Sequence, residues 1–531
     1  MWEGYITFNK NFGGHNIEAV AGLSRERTGI GSYSSLTGYD VPEKNQYWSM
    51  NHADDSYTKV IDQYDYTARS LASYFARVQY NYNHKYYVSA TVRRDGSSTF
   101  KSSGNYWGTF PSFGLGWTIT EEDFMKDFKI LDYMKIRATW GKLGNQDVPL
   151  NVSTMITYPG SHEGNYSFGD VPGYYQGAMF GTPAKNLSWE ITREWGVGFD
   201  FTMLDNRLSG GFDFYDKTNT NTILYVTPVY TSPYSDKFYD HGAKVNNRGI
   251  ELNLGWRDKL PMGITYDISV NYAYNKNQVK DVKATYAGDT GGSLSDGEIT
   301  KRLMENKPIY GWWMYQADGV WQSQAEIDAA NANGEAVLGT PRPGYLKYKD
   351  QNNDGKIDDS DKIYAGSYIP SSTYGIHLGL EYKNMDFSID GYGVSGNKIY
   401  NGLKHGRIDG GENITYDTFK NRWTGEGSTN SNPGALREAK ASTYFLESGS
   451  YFRINNITFG YTFNDLVFKG SRLRTYFTAQ NPFMFTGYSG FTPEIVGGGS
   501  TDANLPNRTA GIELSAYPTT RNFLVGVNLS F

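Results

Sequence analysis

The chain closes on Pro518-Thr-Thr-Arg-Asn-Phe523-Leu-Val525-Gly-Val527-Asn-Leu529-Ser-Phe531. Phe523, Val525, Val527, Leu529 and Phe531 share one parity, while Leu524, Gly526, Asn528 and Ser530 share the other. Side chains of an extended strand point alternately to opposite faces, so this stretch reads as a strand with one oily side and one mostly polar or small side. The pattern recurs upstream. Ile264, Tyr266, Ile268, Val270, Tyr272 and Tyr274 form one oily face, with Thr265, Asp267, Ser269, Asn271 and Ala273 opposite. Trp195, Val197, Phe199 and Phe201 repeat it, as do Ile250, Leu252, Leu254 and Trp256, and Ile376, Leu378, Leu380 and Tyr382.

Composition permits two readings of these strands. Mean hydropathy is -0.58, and no apolar run approaches the roughly 20 residues that a membrane-spanning helix needs. Alternating strands halve their own hydrophobicity, so a membrane barrel is still allowed, and a terminal aromatic strand is typical of bacterial outer-membrane barrels. Aromatic residues make up 16% of the 531 residues, with 44 Tyr, and there are 61 Gly. That suits interfacial girdles and tight turns, and equally a glycan-binding β-protein. Cysteine is absent, which excludes disulfides and thiolate zinc sites. A net charge of -6 without a sustained Lys/Arg stripe argues against nucleic acid as a partner. Trp-Glu-Gly-Tyr after Met1 offers neither a basic nor an apolar segment, so no signal peptide is read and a truncated chain is expected.

About fifteen strands are expected, at 2–12, 15–30, 70–82, 85–95, 110–120, 133–143, 189–203, 208–218, 246–257, 264–280, 372–382, 385–397, 450–463, 471–485 and 518–531. Their connections alternate between short and long. Gly13-Gly14, Asn83-His84, 121–132, Leu204–Arg207, 258–263, Lys383-Asn384 and 464–470 are short or modest; 31–69, 96–109, 144–188, 219–245, 281–371, 398–449 and 486–517 are longer. Transmembrane barrels have short periplasmic turns and long external loops, whereas soluble propellers and sandwiches need not alternate. The expected fold is therefore an all-β, transmembrane antiparallel barrel. An odd strand number cannot close in antiparallel fashion, so about seven further strands would complete a barrel of about 22.

Seven ordered blocks carry a family resemblance: SYFARVQYNYNHKYYVSATVRRDGSSTF at 73–100, WGTFPSFGLGWTITEEDF with MKIRATWGKLGNQ within 107–146, LSWEITREWGVGFDF at 187–201, NNRGIELNLGW at 246–256, SYFRINNITFGYTF at 450–463, QNPFMFTGYSGFTPEI at 480–495 and YPTTRNFLVGVNLSF at 517–531. Together the chain resembles the SusC/RagA-like group of TonB-dependent outer-membrane transporters over nearly its whole length. The resemblance implies that 1–531 is the carboxy-terminal barrel portion, with the plug, the TonB-contacting segment and the first strands absent. It implies import of a large nutrient, an oligosaccharide or a peptide, across the outer membrane of a Bacteroidetes-like cell. It also implies a SusD-like surface lipoprotein as lid, the TonB complex as energy source and outer-membrane lipid around the wall. The alternatives are a passive porin and a secreted glycan-binding or glycosidase β-protein.

Within the long loop 281–371, Asp350, Asn352, Asp354, Lys356 (through its carbonyl), Asp358 and Asp361 occupy positions 1, 3, 5, 7, 9 and 12 of a calcium loop, with Gly355 at the sharp turn. Ca²⁺ as a structural brace is expected there, though Asp361 is shorter than the usual Glu; an acidic solvated loop is the plainer reading. Tyr310, Trp312, Trp313, Tyr315 and Trp321 form an aromatic cluster. Such rings stack on sugars or peptide side chains, and loop packing is the plainer reading again. Asp267, Asn271, His377 and Glu381 are expected to line the lumen. The seven His are scattered, and no metalloprotease, nucleophile-elbow, Walker or dinucleotide fingerprint occurs, so no enzyme is expected.

Overall fold

The computed structural model describes residues 1–28, 32–37, 60–65, 69–101, 103–148, 157–159, 178–180, 186–226, 238–286, 288–294, 296–408, 413–435, 439–466, 468–495, 510–514 and 516–531. The connections expected at 31–69 and 144–188 lie largely outside these residues, as do positions 29–30 of the second expected strand. Fifteen strands form one sheet in chain order. They are β1 Trp2–Phe12, β2 His15–Thr28, β3 Arg69–Tyr82, β4 Tyr86–Ser97, β5 Trp107–Thr118, β6 Leu131–Asn145, β7 Glu190–Met203, β8 Leu208–Val226, β9 Phe238–Lys259, β10 Thr265–Val282, β11 Ser372–Tyr382, β12 Met385–Ser395, β13 Tyr451–Asn464, β14 Arg472–Thr486 and β15 Asn522–Ser530. Each pairs antiparallel with its neighbours, as in β1 with β2 and β14 with β15.

The register keeps oily residues beside oily residues from strand to strand. One row runs from Trp117 to Ile136, Phe199, Phe212, Leu252, Tyr272 and Tyr374. Another runs Phe387, Phe459, Phe477, Val525. A one-residue slip would turn these side chains to the other face, so parity fixes the register. On β15 these side chains are bare: Phe523 is 68% exposed and Val525 81%. A sheet in water would cover such a face, whereas hydrocarbon is its natural solvent. Above the belt the outward row turns charged, with Arg248 Nε 3.2 Å from Asp216 Oδ2. On β13, Phe452 and Ile454 differ in parity from Ile457 and Phe459. The pairing jumps from Ile454 to Asn456 opposite β12, so a bulge at Asn455 returns both pairs to the outer face.

The short turns all lie at the end where β15 finishes. Gly13 and Gly14, the two-residue turn between β1 and β2, have φ of +50° and +82°, and Asn83 and His84, in the three-residue turn between β3 and β4, have +50° and +55°; such tight hairpin turns use this left-handed backbone. In the longer turn after β5, the Glu122 carboxylate accepts hydrogen bonds from Tyr86 Oη (2.5 Å), Trp117 Nε1 (3.0 Å) and Lys85 Nζ (3.2 Å). The turn is thereby tied to β4 and β5.

At the other end, β8 and β9 run well beyond the expected 208–218 and 246–257. The extensions are held by burial: Leu224, Val226, Ala243 and Val245 pack with Val279, Val282, Leu303 and Ile309. Segment 281–371, expected as a loop, is part of a folded cap. Thr290–Ser293, Ile299–Arg302, Gly311–Tyr315 and Lys362–Gly366 form a four-stranded sheet. Helix Gln324–Ala332 is capped by Ser323, whose side chain accepts from the Glu326 amide. Lys398–Asn401 pairs with Leu446–Ser448 and, in parallel, with Ile512–Glu513, so the connections after β10, β12 and β14 share one structure. Its core contains Trp312, Met314, Tyr400, Phe445 and Ile512.

Two outcomes follow from this architecture. Val270→Arg, on the outer face, is expected to destabilise the wall by about 2–4 kcal/mol, while Asn271→Arg, one residue away but on the inner face, leaves it nearly unchanged; heat-modifiable gel migration compares them. The hydrogen bond from Tyr86, followed by that from Trp117, holds the Glu122 carboxyl below its ordinary range. A depressed carboxyl pKa stabilises the fold above the unfolded value, and the contribution is lost as pH falls through the folded one. Protease cleavage within 119–130 is therefore expected to rise on acidification below the usual carboxylate pKa, and to lose that dependence in Glu122→Gln.

Candidate functional site

The inner face of the wall is polar and cross-linked by charges. Arg137 on β6 donates to Asp200 on β7 (2.7 and 3.0 Å) and to Asp213 on β8 (3.1 Å). Its reach across a whole strand is possible because Gly198 lies between Arg137 and Asp213 in register. A Cβ at Gly198 would collide with the Asp213 carboxylate. The device repeats where Arg474 on β14 pairs with Asp386 on β12 across Gly460 of β13, whose Cβ would meet both partners. His377 stands between Asp390 (Nδ1, 2.6 Å) and Asp267 (Nε2, 3.1 Å). Asp267 and His377 are thus found on the inner face as expected. Asn271 pairs with Gly375, and Glu381 with Thr265 and Asp386, on the same face. Spacing alone gave no sign of Arg137, Asp200, Asp213, Asp386, Asp390 or Arg474, because their partners are two strands or many residues away.

The cap contains a cavity of about 450 Å³ bordered by Asn401, Lys404, Arg422, Tyr444, Glu447 and Phe491. That is the scale of a small-ligand site. Its residues come from the connections after β12 and β14, and no periodic signal marks them in sequence. The Glu447 carboxylate is held by Asn401 Nδ2 (3.1 Å), Ser489 Oγ (2.7 Å) and the Ser489 amide (2.8 Å). The Lys404 ammonium lies 4.0 Å from the Tyr444 ring centroid. Burial lowers the Lys404 pKa, against the pull of Glu447 and Asp417. The cavity offers apolar walls, an ordered carboxylate and cations, a set suited to holding a polar solute rather than breaking bonds in one.

Nearby, His405 Nε2 sits 2.9 Å from Asp296 Oδ2 and its Nδ1 2.5 Å from Tyr400 Oη. This chain, buried at Tyr400 and His405 and exposed at Asp296, links the connection after β10 to the one after β12. Desolvation pushes the imidazole pKa down, with Asp296 opposing.

The aromatic residues expected to meet solute are packed inside the cap. Trp312 is fully buried, and Tyr310, Tyr315 and Trp321 nearly so. Trp312 Nε1 donates to the Lys398 carbonyl at 3.1 Å, and Trp321 packs with Ile327 and Ala330 of the helix. Rings enclosed this way have no face left for a sugar or peptide. Trp313 alone is half-buried, with the Arg302 guanidinium 5.1 Å from its centroid. Packing is what these residues do, which corrects the solute-binding expectation for Trp312, Tyr315 and Trp321.

Segment 350–361 is a tight, self-bonded loop. Asp350 accepts the amides of Asn353 (2.7 Å) and Gly355 (2.9 Å), and Asp354 accepts that of Lys356 (2.9 Å). Asp358 accepts the Ser360 amide (2.8 Å), and Gly355 has φ +79°. Backbone donors lower the Asp350 pKa against desolvation, and Ser360 lowers that of Asp358. Asp361 is fully buried and accepts the Gln351 and Asp358 amides, so it clasps the two ends of the loop. Among the described residues, no group of three or more His, Cys, Asp or Glu side chains converges as a metal site.

A family model described as TonB dependent receptor-like, beta-barrel matches residues 3–482. The TonB-dependent receptor SusC of Bacteroides thetaiotaomicron is 28% identical over 551 residues, an alignment covering 99% of this chain and 49% of that protein. TonB-dependent receptor P3 of Formosa agariphila is 28% identical over 540 residues, covering 100% and 52%. The chain therefore spans about half the length of these curated relatives. The solved RagAB peptide transporter structure superposes with a TM-score of 0.76 at 19% identity, over 100% of this chain and 55% of that one. That likeness is one of fold.

Proposed function

The chain belongs to the TonB-dependent receptor-like β-barrel family of the outer membrane, and from this we propose that it is the wall and cap of an energised importer for a large nutrient, an oligosaccharide or a peptide. The observation that carries the reading is the fifteen-strand sheet, apolar outside and ionic inside, whose β1 and β15 each pair on one side only among the described strands. These two strands run in the same direction, so an odd number of further strands has to stand between them. A plug within the completed bore and a contact to TonB would belong to the remaining half of the protein. A SusD-like lipoprotein would rest on the cap, and the 450 Å³ cavity gives that side a place for part of the solute. No step in this function calls for enzymatic chemistry.

The test is uptake of labelled oligosaccharide and labelled peptide by cells with and without the full-length gene. One of the two is expected to require the gene and to stop when the inner membrane is uncoupled. Gene-dependent uptake that survives uncoupling would make the protein a passive pore.

We further propose that Asp350, Asn352, Asp354, Asp358 and the Lys356 carbonyl hold Ca²⁺ as a brace; Asp361, expected as the sixth ligand, is buried with both oxygens on the Gln351 and Asp358 amides and anchors the loop instead. The ordered turns at Asp350 and Asp354 and the left-handed Gly355 support this, since they preset the loop before any ion arrives. Chelation is expected to speed proteolysis within 281–371 while the strands stay protected; unchanged cleavage would leave an ordinary acidic turn.

A further inference from the structure

Lys404 brings to the 450 Å³ cap cavity a cation that has no anion of its own among the described residues. Its ammonium lies over the Tyr444 ring, and the two acids that border the cavity are already engaged. Glu447 Oε1 accepts from Asn401 Nδ2 and Ser489 Oγ, and its Oε2 accepts from the Ser489 amide. Asp417 Oδ1 accepts from Asn421 Nδ2 at 2.7 Å. A second cation, Arg422, stands at the border with its guanidinium 4.8 Å from the Phe419 ring centroid. Burial lowers the Lys404 pKa, with Glu447 and Asp417 opposing. An anion that entered would stabilise the charged ammonium where it stands, and a carboxylate can do so through a charge-assisted hydrogen bond. One ammonium beside two engaged acids suits a single negative charge better than the nearly double charge of a phosphate.

Much of the remaining wall is apolar. Leu403, Ile408, Ile414, Pro433 and Ala435 line it, with Phe491 half in solvent. Such walls take up alkyl side chains and leave most of a sugar's hydroxyls without partners once they are out of water. Sugars also want an open ring face. The exposed rings of Tyr416 and Phe419, on the short helix Tyr416–Asn421, do not border the cavity, and the Tyr444 face is covered by Lys404. A chain end that carries one carboxylate beside an aliphatic side chain matches both the charge and the walls.

We infer that the cap cavity takes the carboxy-terminal end of a peptide. The terminal carboxylate meets the Lys404 ammonium, with Arg422 at the border, and the last side chain packs on Leu403, Ile408 and Ile414. The inference rests on the importer reading and narrows its solute to peptides held by their free end.

The full-length protein, purified in mild detergent with any lipoprotein that stays bound, is to be incubated with two pools of synthetic amino-acetylated hexapeptides ending in leucine. One pool has a free carboxylate and the other is amidated, and the captured peptides are counted by mass spectrometry. The free-end pool is expected to be enriched over the amidated one by about tenfold, the scale of one charge-assisted hydrogen bond. Lys404→Met should bring that ratio near one, and Lys404→Arg should keep most of it. Mere loosening of the cap would lower capture of both pools alike and leave the ratio standing. A wild-type ratio near one, no capture of either pool, or an unchanged ratio in Lys404→Met would overturn the assignment, as would capture of an oligogalacturonate in place of both pools. Capture needs no energy source. Uptake can therefore prove passive while the ratio holds, or energised while the ratio fails, so the two readings fail separately.

Discussion

A peptide group in hydrocarbon has no water to bond. Each N–H and C=O must find a partner within the protein, at a cost of several kcal/mol where it does not. The sheet meets this demand by pairing every internal strand on both sides, and the side-chain parity of each strand then decides what the lipid and the bore encounter. The bulge at Asn455 shows how tightly the constraint binds, because one extra residue keeps Phe452 and Ile454 on the lipid side together with Ile457 and Phe459. The inner glycines serve the same end from the other face. By leaving out a side chain, Gly198 and Gly460 let Arg137 and Arg474 bridge alternate strands, so the wall is bonded laterally by charge as well as by backbone.

Much of this wall was legible before any coordinates. Fifteen alternating segments, the order of short and long connections and the position of the carboxy-terminal strand all emerge from period-two patterning, because membrane strands follow a nearly one-dimensional rule. The upper halves of β8 and β9 escaped it. Thr218-Asn-Thr-Asn-Thr222 is polar on both parities, and its pairing with β9 and the packing of Leu224 and Val226 against Leu303 and Ile309 continue the strand through it.

The cap was illegible for a related reason. Its core joins Trp312, Tyr400, Phe445 and Ile512, residues separated by large stretches of chain. A local window sees aromatic residues among Gly, Asn and Asp and reads a recognition surface, whereas three connections brought together produce an interior. The cavity near Lys404 and Glu447 arises in the same way, at the seam between connections, and has no linear signature. The 350–361 loop is the exception: its spacing predicted a sharply ordered turn, and its geometry is set by contacts within the same dozen residues.

The parallel pairing of Tyr400 with Ile512 has a consequence for the order of assembly. Ile512 lies on the connection leading into the last strand, so the cap's core is complete only when that connection is in place. The tops of β10 through β15 are joined through the cap, while on the other side Phe100, after β4, packs with Val148, Leu187 and Trp189, after β6, in a smaller cluster of its own.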